Sequence, residues 1–148
     1  MLFARTRFVL SAGLLFAAPL VAAAGASPTD QLVKQGEYVY RAAGCHGCHT
    51  DEKHAGKPLA GGHALATPFG TFYTPNITPD PETGIGRWSE QDFIRALREG
   101  QSPAGDHYYP SFPYPSYTKL TDEDLRVLWT YLKLQPPVKQ ANRKHDLK

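Results

Sequence analysis

From Thr29 onward, Leu32, Gly36, Val39, Tyr40 and Ala43 recur at spacings of three and four residues, which predicts a helix with one buried face, capped by Thr29 or Asp30. A second helix opens at Ser89, with Glu90 and Asp92 in its first turn, turns Phe93, Ile94 and Leu97 inward, and ends at Gly100. The strongest pattern belongs to a third: Thr121 caps, Asp122, Glu123 and Asp124 load the positive end, and Leu125, Leu128, Trp129 and Leu132 follow at i, i+3, i+4 and i+7. Pro136-Pro137 stops it, and residues 138–148 are polar and patternless, which predicts a loose tail. Between the helices the pattern breaks. Residues 50–88 are too densely punctuated by Gly, Pro, Thr and Asn for a long helix or a regular sheet, with Phe72-Tyr73 the only stretch that reads as a short strand. Residues 102–118 alternate prolines with Tyr108, Tyr109, Phe112, Tyr114 and Tyr117. The expected fold is all-α with long loops.

Ahead of this body, Arg5 and Arg7 precede an uncharged run from Val9 to Val21 and the small residues Ala22 to Ala26, the layout of a cleaved secretory signal peptide over residues 1–26. The run is short for a membrane span and is broken by Pro19, so no integral span is expected in the mature chain. Residues 27–148 then make one domain. Without Arg5 and Arg7, 14 Lys and Arg face 14 Asp and Glu. That balance offers no basic field for nucleic acid and none for a membrane surface.

The chemistry is concentrated in Cys45-His46-Gly47-Cys48-His49, which holds both cysteines of the chain. Two thiols separated by two residues can add across the two vinyl groups of a haem, and the histidine that follows can ligate its iron; this is the c-type haem attachment pattern. A redox CxxC would need a strand-turn-helix setting in a βαβ unit, and the flanks hold no β-rich run. A zinc site would need a second ligand pair at a standard spacing, which His54 and His63 do not supply. A disulfide across two intervening residues is awkward and leaves His49 without a role. A haem also gives the long loops something to wrap and a short chain an apolar centre, so the haem-free chain is expected to fold poorly.

The order of one helix running into CxxCH, a loop-rich middle, a short helix, a proline-aromatic segment and an amphipathic last helix resembles class I cytochrome c. The segments beginning at Thr67 (TPFGTFY), Asn76 (NITPD), Thr83 (TGIGRWS) and Tyr109 (YPSFPY) resemble the haem modules in cytochrome subunits of periplasmic dehydrogenases, a similarity running from Gln35 to Pro137. The resemblance implies a domain wrapped around one covalent haem c, with thioethers at Cys45 and Cys48 and His49 as the proximal iron ligand. It implies a crossing of the first and last helices shared by Gly36, Tyr40, Trp129 and Leu132, and contacts of Asn76 and Trp88 with the haem propionates. Many such modules place a methionine on the sixth iron position where this chain has Phe112, and the one methionine here is Met1. The sixth position is therefore open to His107, to His63, or to no side chain behind Phe112; Lys119, Tyr114 and His54 are further options. The implied function is periplasmic electron transfer, not catalysis. Electrons would be accepted from a dehydrogenase and passed to a cytochrome or oxidase of a respiratory chain. The alternative is an open-site haem protein that binds a small ligand, as a gas sensor or a peroxide-type catalyst.

Overall fold

The computed structural model of the chain describes residues 27–148, so the expected signal peptide lies outside the described residues. Four helices frame the molecule: α1 (Pro28–Ala42), the single turn α2 (Cys45–His49), α3 (Glu90–Glu99) and α4 (Asp122–Lys133). The three long helices all begin with the same device. Ser27, Ser89 and Thr121 each accept the N–H of an aspartate three residues on, and that carboxylate accepts the cap's own N–H. Two orphan donors are satisfied at each start, and a negative charge sits on the positive helix end. The first cap is Ser27, not Thr29 or Asp30; Asp30 is its reciprocal partner.

Helices α1 and α4 cross at Gly36. A methyl group there would overlap the Val127 carbonyl oxygen and lie 2.7 Å from Tyr131 Cβ, so glycine is what permits the approach. Tyr40 packs on Tyr131, with ring centroids 5.1 Å apart. At the crossing Gly36 meets Val127 and Tyr131 and Tyr40 packs on Tyr131, two α4 partners that the expected set of Trp129 and Leu132 did not include. Trp129 instead faces Phe93 of α3, 5.2 Å between centroids, while Leu128 and Leu132 line a cavity between the helices and loops. One helix therefore serves three neighbours. Leu32, expected on the buried face of α1, is exposed.

The all-α expectation fails in the middle of the chain. Strands β1 (Ala64–Thr67) and β2 (Gly70–Tyr73) form an antiparallel hairpin around Pro68-Phe69, and β3 (Asp146–Leu147) pairs with the other edge of β2. A side chain on Gly70, which has φ 122°, would strike the Asp146 carbonyl oxygen, so this position lets β3 come close. The expected strand at Phe72-Tyr73 lies within β2.

Residues 138–148 are no loose tail. The Val138 N–H donates to Thr78 Oγ1 at 3.1 Å and its carbonyl accepts from Asn76 Nδ2 at 2.7 Å. Gln140 donates Nε2 to the Ala60 carbonyl at 3.0 Å, Asn142 Oδ1 accepts the Asn76 N–H at 2.8 Å, and Lys139 pairs with Glu82 at 2.6 Å. With β3 added, this strap is tied to the 60–83 loops along its whole length. Its polar residues spend their hydrogen-bonding capacity on loop backbone that has no helix or sheet partner.

Candidate functional site

Helix α2 is one turn long because Gly44, in a left-handed conformation, redirects the chain after α1, and Thr50 leaves it in an extended one. That turn puts Cys45 and Cys48 on one side, and both line the apolar cavity, of about 450 Å³, together with His49. Neither thiol is in a disulfide. Burial pushes the Cys45 thiol up to about 11, so it remains S–H. His46 is used differently. Its Nε2 meets Glu52 at 3.0 Å, and its Nδ1 lies 3.2 Å from the Tyr40 hydroxyl and 3.3 Å from that of Thr50, so it pins the motif to α1 and the following loop.

His49 Nδ1–H donates to the Pro75 carbonyl at 2.8 Å. That bond settles the tautomer and leaves Nε2 with its lone pair in a cavity-lining ring. Burial lowers the histidine's pKa, against the opposing pull of the Pro75 bond, which keeps the ring neutral. A neutral imidazole held by a second bond is the form a metal ligand takes.

The other walls come from every part of the fold. Phe93, Ala96 and Leu97 arrive from α3, Leu128 and Leu132 from α4, and Ile77, Ile85 and Trp88 from the long loop. Tyr108, Phe112 and Tyr117 come from the proline-aromatic segment. Phe112 stands edge-on to Tyr108, with centroids 5.6 Å apart, and is tilted against Tyr117 at 6.0 Å. The Tyr117 hydroxyl donates to the Ala43 carbonyl at 3.2 Å, tying this segment to the end of α1. Burial raises Tyr108 to about 12, so it stays a neutral phenol.

The residues expected at the site fare unequally. Trp88 lines the cavity. Asn76 also lines it, but the amide is already spent. Nδ2 donates to Thr83 Oγ1 and Val138 O, and Oδ1 accepts from the Thr78 N–H and hydroxyl. It is a structural knot, not a free donor for a cofactor. His107 does not line the cavity. It is exposed in a turn bridged to Gln101, which corrects its candidacy as sixth ligand. His63, Tyr114 and Lys119 are likewise outside the cavity lining, and His54 is held at the surface by Asp51, 2.8 Å away. The segment's proline spacing gave no sign that His107 would turn outward.

Lining residues that the sequence did not single out include Pro75, the partner of His49, and Asn142, Arg143 and His145 on the C-terminal strap. The one available signal was that His145 is among only six histidines in the chain. Its neighbourhood has no periodicity to mark it as ordered.

An apolar chamber with two free thiols, a neutral imidazole and polar groups at the mouth fits a covalently held haem. Among the described residues no three His, Cys, Asp or Glu side chains converge as a metal-ion site. No described helix is long and apolar enough to cross a membrane.

Comparison with known proteins agrees. The chain is 49% identical over 119 residues to a gluconate 2-dehydrogenase cytochrome c subunit of Pantoea cypripedii, covering 80% of this chain and 26% of that one. With the cytochrome c subunit of a quinone alcohol dehydrogenase from Gluconobacter oxydans it shares 42% identity over 127 residues, 84% of this chain and 26% of that one. With a fructose dehydrogenase cytochrome subunit of Gluconobacter japonicus it shares 39% identity over 129 residues, 87% of this chain and 26% of that one. The chain thus spans about a quarter of the length of these relatives. The cytochrome c family model matches residues 33–135, from within α1 to just past α4, and the chain belongs to the cytochrome c family, whose members carry covalently bound haem c.

Proposed function

We propose that this chain is a periplasmic electron-transfer module that carries one haem c, and that it accepts electrons from a dehydrogenase for a downstream cytochrome or oxidase. Cys45 and Cys48 hold the haem by thioethers and His49 Nε2 is the proximal iron ligand. When bound, the haem supplies a one-electron ferric/ferrous couple. The chain's own residues do the rest. Pro75 orients the His49 ring through Nδ1–H, which raises the basicity of Nε2. Leu128, Leu132, Ile85 and Phe93 exclude water from the chamber, so little solvent has to reorient when charge changes. The observation that carries the reading is the convergence of both thiols and a tautomer-locked imidazole on one apolar cavity.

The test is a pyridine haemochrome assay on denatured protein followed by a reversible redox titration of the native form. A haem that survives denaturation and takes up one electron reversibly supports the reading. A chain exported with both cysteines intact and no attached haem refutes it.

A second reading draws on Phe112. The distal side offers phenyl and phenol rings where a methionine would stand, and neither His107 nor His63 lines the cavity. An open sixth position would suit reversible binding of a small ligand. Optical and EPR spectra with added carbon monoxide separate the two. A low-spin ferric haem indifferent to carbon monoxide in the ferrous state favours the carrier; a high-spin haem that takes it up favours ligand binding.

A further inference from the structure

We propose that residues 138–147 are a clasp across the mouth of the haem cavity, and that Arg143 and His145 on this clasp bind the carboxylates of the haem. The proposal rests on the haem reading above. It assigns a role to the part of the chain that lies beyond the family match, which ends at residue 135.

Both side chains line the cavity and both are exposed, so they stand at its mouth and not in its depth. The chamber behind them is walled mainly by aliphatic and aromatic side chains. A ligand with an apolar body and an anionic edge suits that division, and a haem has that form: a flat macrocycle with two propionates on one side.

The tautomer of His145 decides between two roles for it. The Tyr73 N–H donates to His145 Nδ1 at 3.1 Å, so that nitrogen carries the lone pair and the hydrogen is on Nε2. A ring nitrogen bearing hydrogen cannot ligate iron, but it can donate to a carboxylate oxygen. His145 is therefore a donor to the anionic edge and not the missing sixth ligand. Phe72 and Tyr109 hold the ring edge-on at 5.2 and 5.4 Å, which fixes where Nε2–H can reach.

Arg143 lays its guanidinium over the Tyr73 ring, 3.8 Å from the centroid. That contact consumes none of the guanidinium's N–H groups, so its fork of donors can take a carboxylate bidentately. No ion pair joins it to an acidic side chain among the described residues. Asn142, next to it, is tied to the loops: its Nδ2 donates to the Thr83 carbonyl at 3.3 Å and its Oδ1 accepts from the Asn76 N–H at 2.8 Å, so it serves as an anchor of the strap. The clasp is thus anchored by Val138, Gln140, Asn142 and β3, and Arg143 and His145 stand on it at the mouth with N–H donors to offer.

Positive charge and hydrogen-bond donors beside the propionates favour ferrous iron, so removing them lowers the midpoint potential. The experiment compares R143Q, R143K and H145F with the parent holoprotein, reading the midpoint by spectroelectrochemistry and the propionate bending band by resonance Raman. R143Q is expected to shift the redox equilibrium about tenfold toward ferric, which is about 59 mV for a one-electron couple. R143K keeps most of the parent midpoint, a rescue that loss of stacking alone would not give. H145F lowers the midpoint and moves the propionate band while keeping an aromatic ring between Phe72 and Tyr109. Midpoints unmoved in both R143Q and H145F overturn the proposal, and so does a shifted midpoint with an unaltered propionate band, because the charge then acts from a distance. Failure of the underlying haem reading shows separately, as absence of the haemochrome band from denatured parent protein.

Discussion

Replacing Asn76 by Ala distinguishes a residue that holds a cofactor from one that holds the fold. The side chain is 2% exposed and makes four bonds of 2.7 to 3.1 Å: Nδ2 to Thr83 Oγ1 and Val138 O, and Oδ1 from the Thr78 N–H and hydroxyl. At about 1 kcal/mol net for each bond the loss is about 4 kcal/mol, and Thr78, fully buried, keeps an orphaned N–H that adds to it. For a domain of this size each kcal/mol moves the melting temperature by about 4 °C, so N76A should melt about 16 °C lower. The same change cuts the clasp from the 60–83 loops, so amide exchange at Val138 and Gln140 should accelerate in the folded holoprotein. Asp at this position keeps the acceptor toward Thr78 but sets an oxygen against the Val138 carbonyl, so N76D should be nearly as unstable. Thermal unfolding followed at the Soret band and by far-UV circular dichroism reads both variants. A loss below about 1 kcal/mol, accompanied by a changed midpoint potential, would refute this reasoning and return Asn76 to the propionates.

Three further outcomes follow from the geometry. G36A gains about 1 kcal/mol of helix propensity, yet its methyl would sit inside the Val127 carbonyl oxygen; overpacking of about 1–3 kcal/mol should prevail, and a variant that unfolds at higher urea than the parent contradicts the crossing. The capping carboxylates Asp92 and Asp124 and the turn residue Asp80 have pKa values held below their ordinary 3.8 by hydrogen bonds, chiefly from Ser89, Thr121 and Thr83. Depressed folded-state values mean stability that is present above pH 3.8 and lost as pH falls through the lower folded values. D92N and D124N should therefore flatten the acid limb of a stability-versus-pH curve, and an unchanged limb would show that other groups control it. F112M puts a thioether on the cavity wall at nearly constant volume. If the distal side is open, it should make the ferric haem low-spin, suppress carbon monoxide binding and raise the midpoint; a spectrum identical to the parent's would place Phe112 away from the iron.

The elements legible in the chain were those whose causes lie within a few residues of each other. The capping pairs Ser89 with Asp92 and Thr121 with Asp124 are three residues apart, and the buried stripe of α4 repeats within two turns. The two thiols and the imidazole of Cys45, Cys48 and His49 share one turn of helix. Local spacing is enough for such features, because the chemistry that links the residues acts over that same distance. Tertiary structure alone decided which face of α4 meets which partner. Val127, Leu128 and Trp129 are adjacent and all apolar, so only the close approach at Gly36 and the position of Phe93 assign them to α1, the cavity and α3. It also decided the fate of the histidines and of the C-terminal strap. Asn76 bonds to Val138 across 62 positions and Gln140 to Ala60 across 80, and polar side chains that satisfy distant backbone leave no periodicity behind. His107 and His145 look alike as letters in loops. One faces solvent and the other lines the mouth of the cavity because the second is carried on a strap held by its bonds to the 60–83 loops.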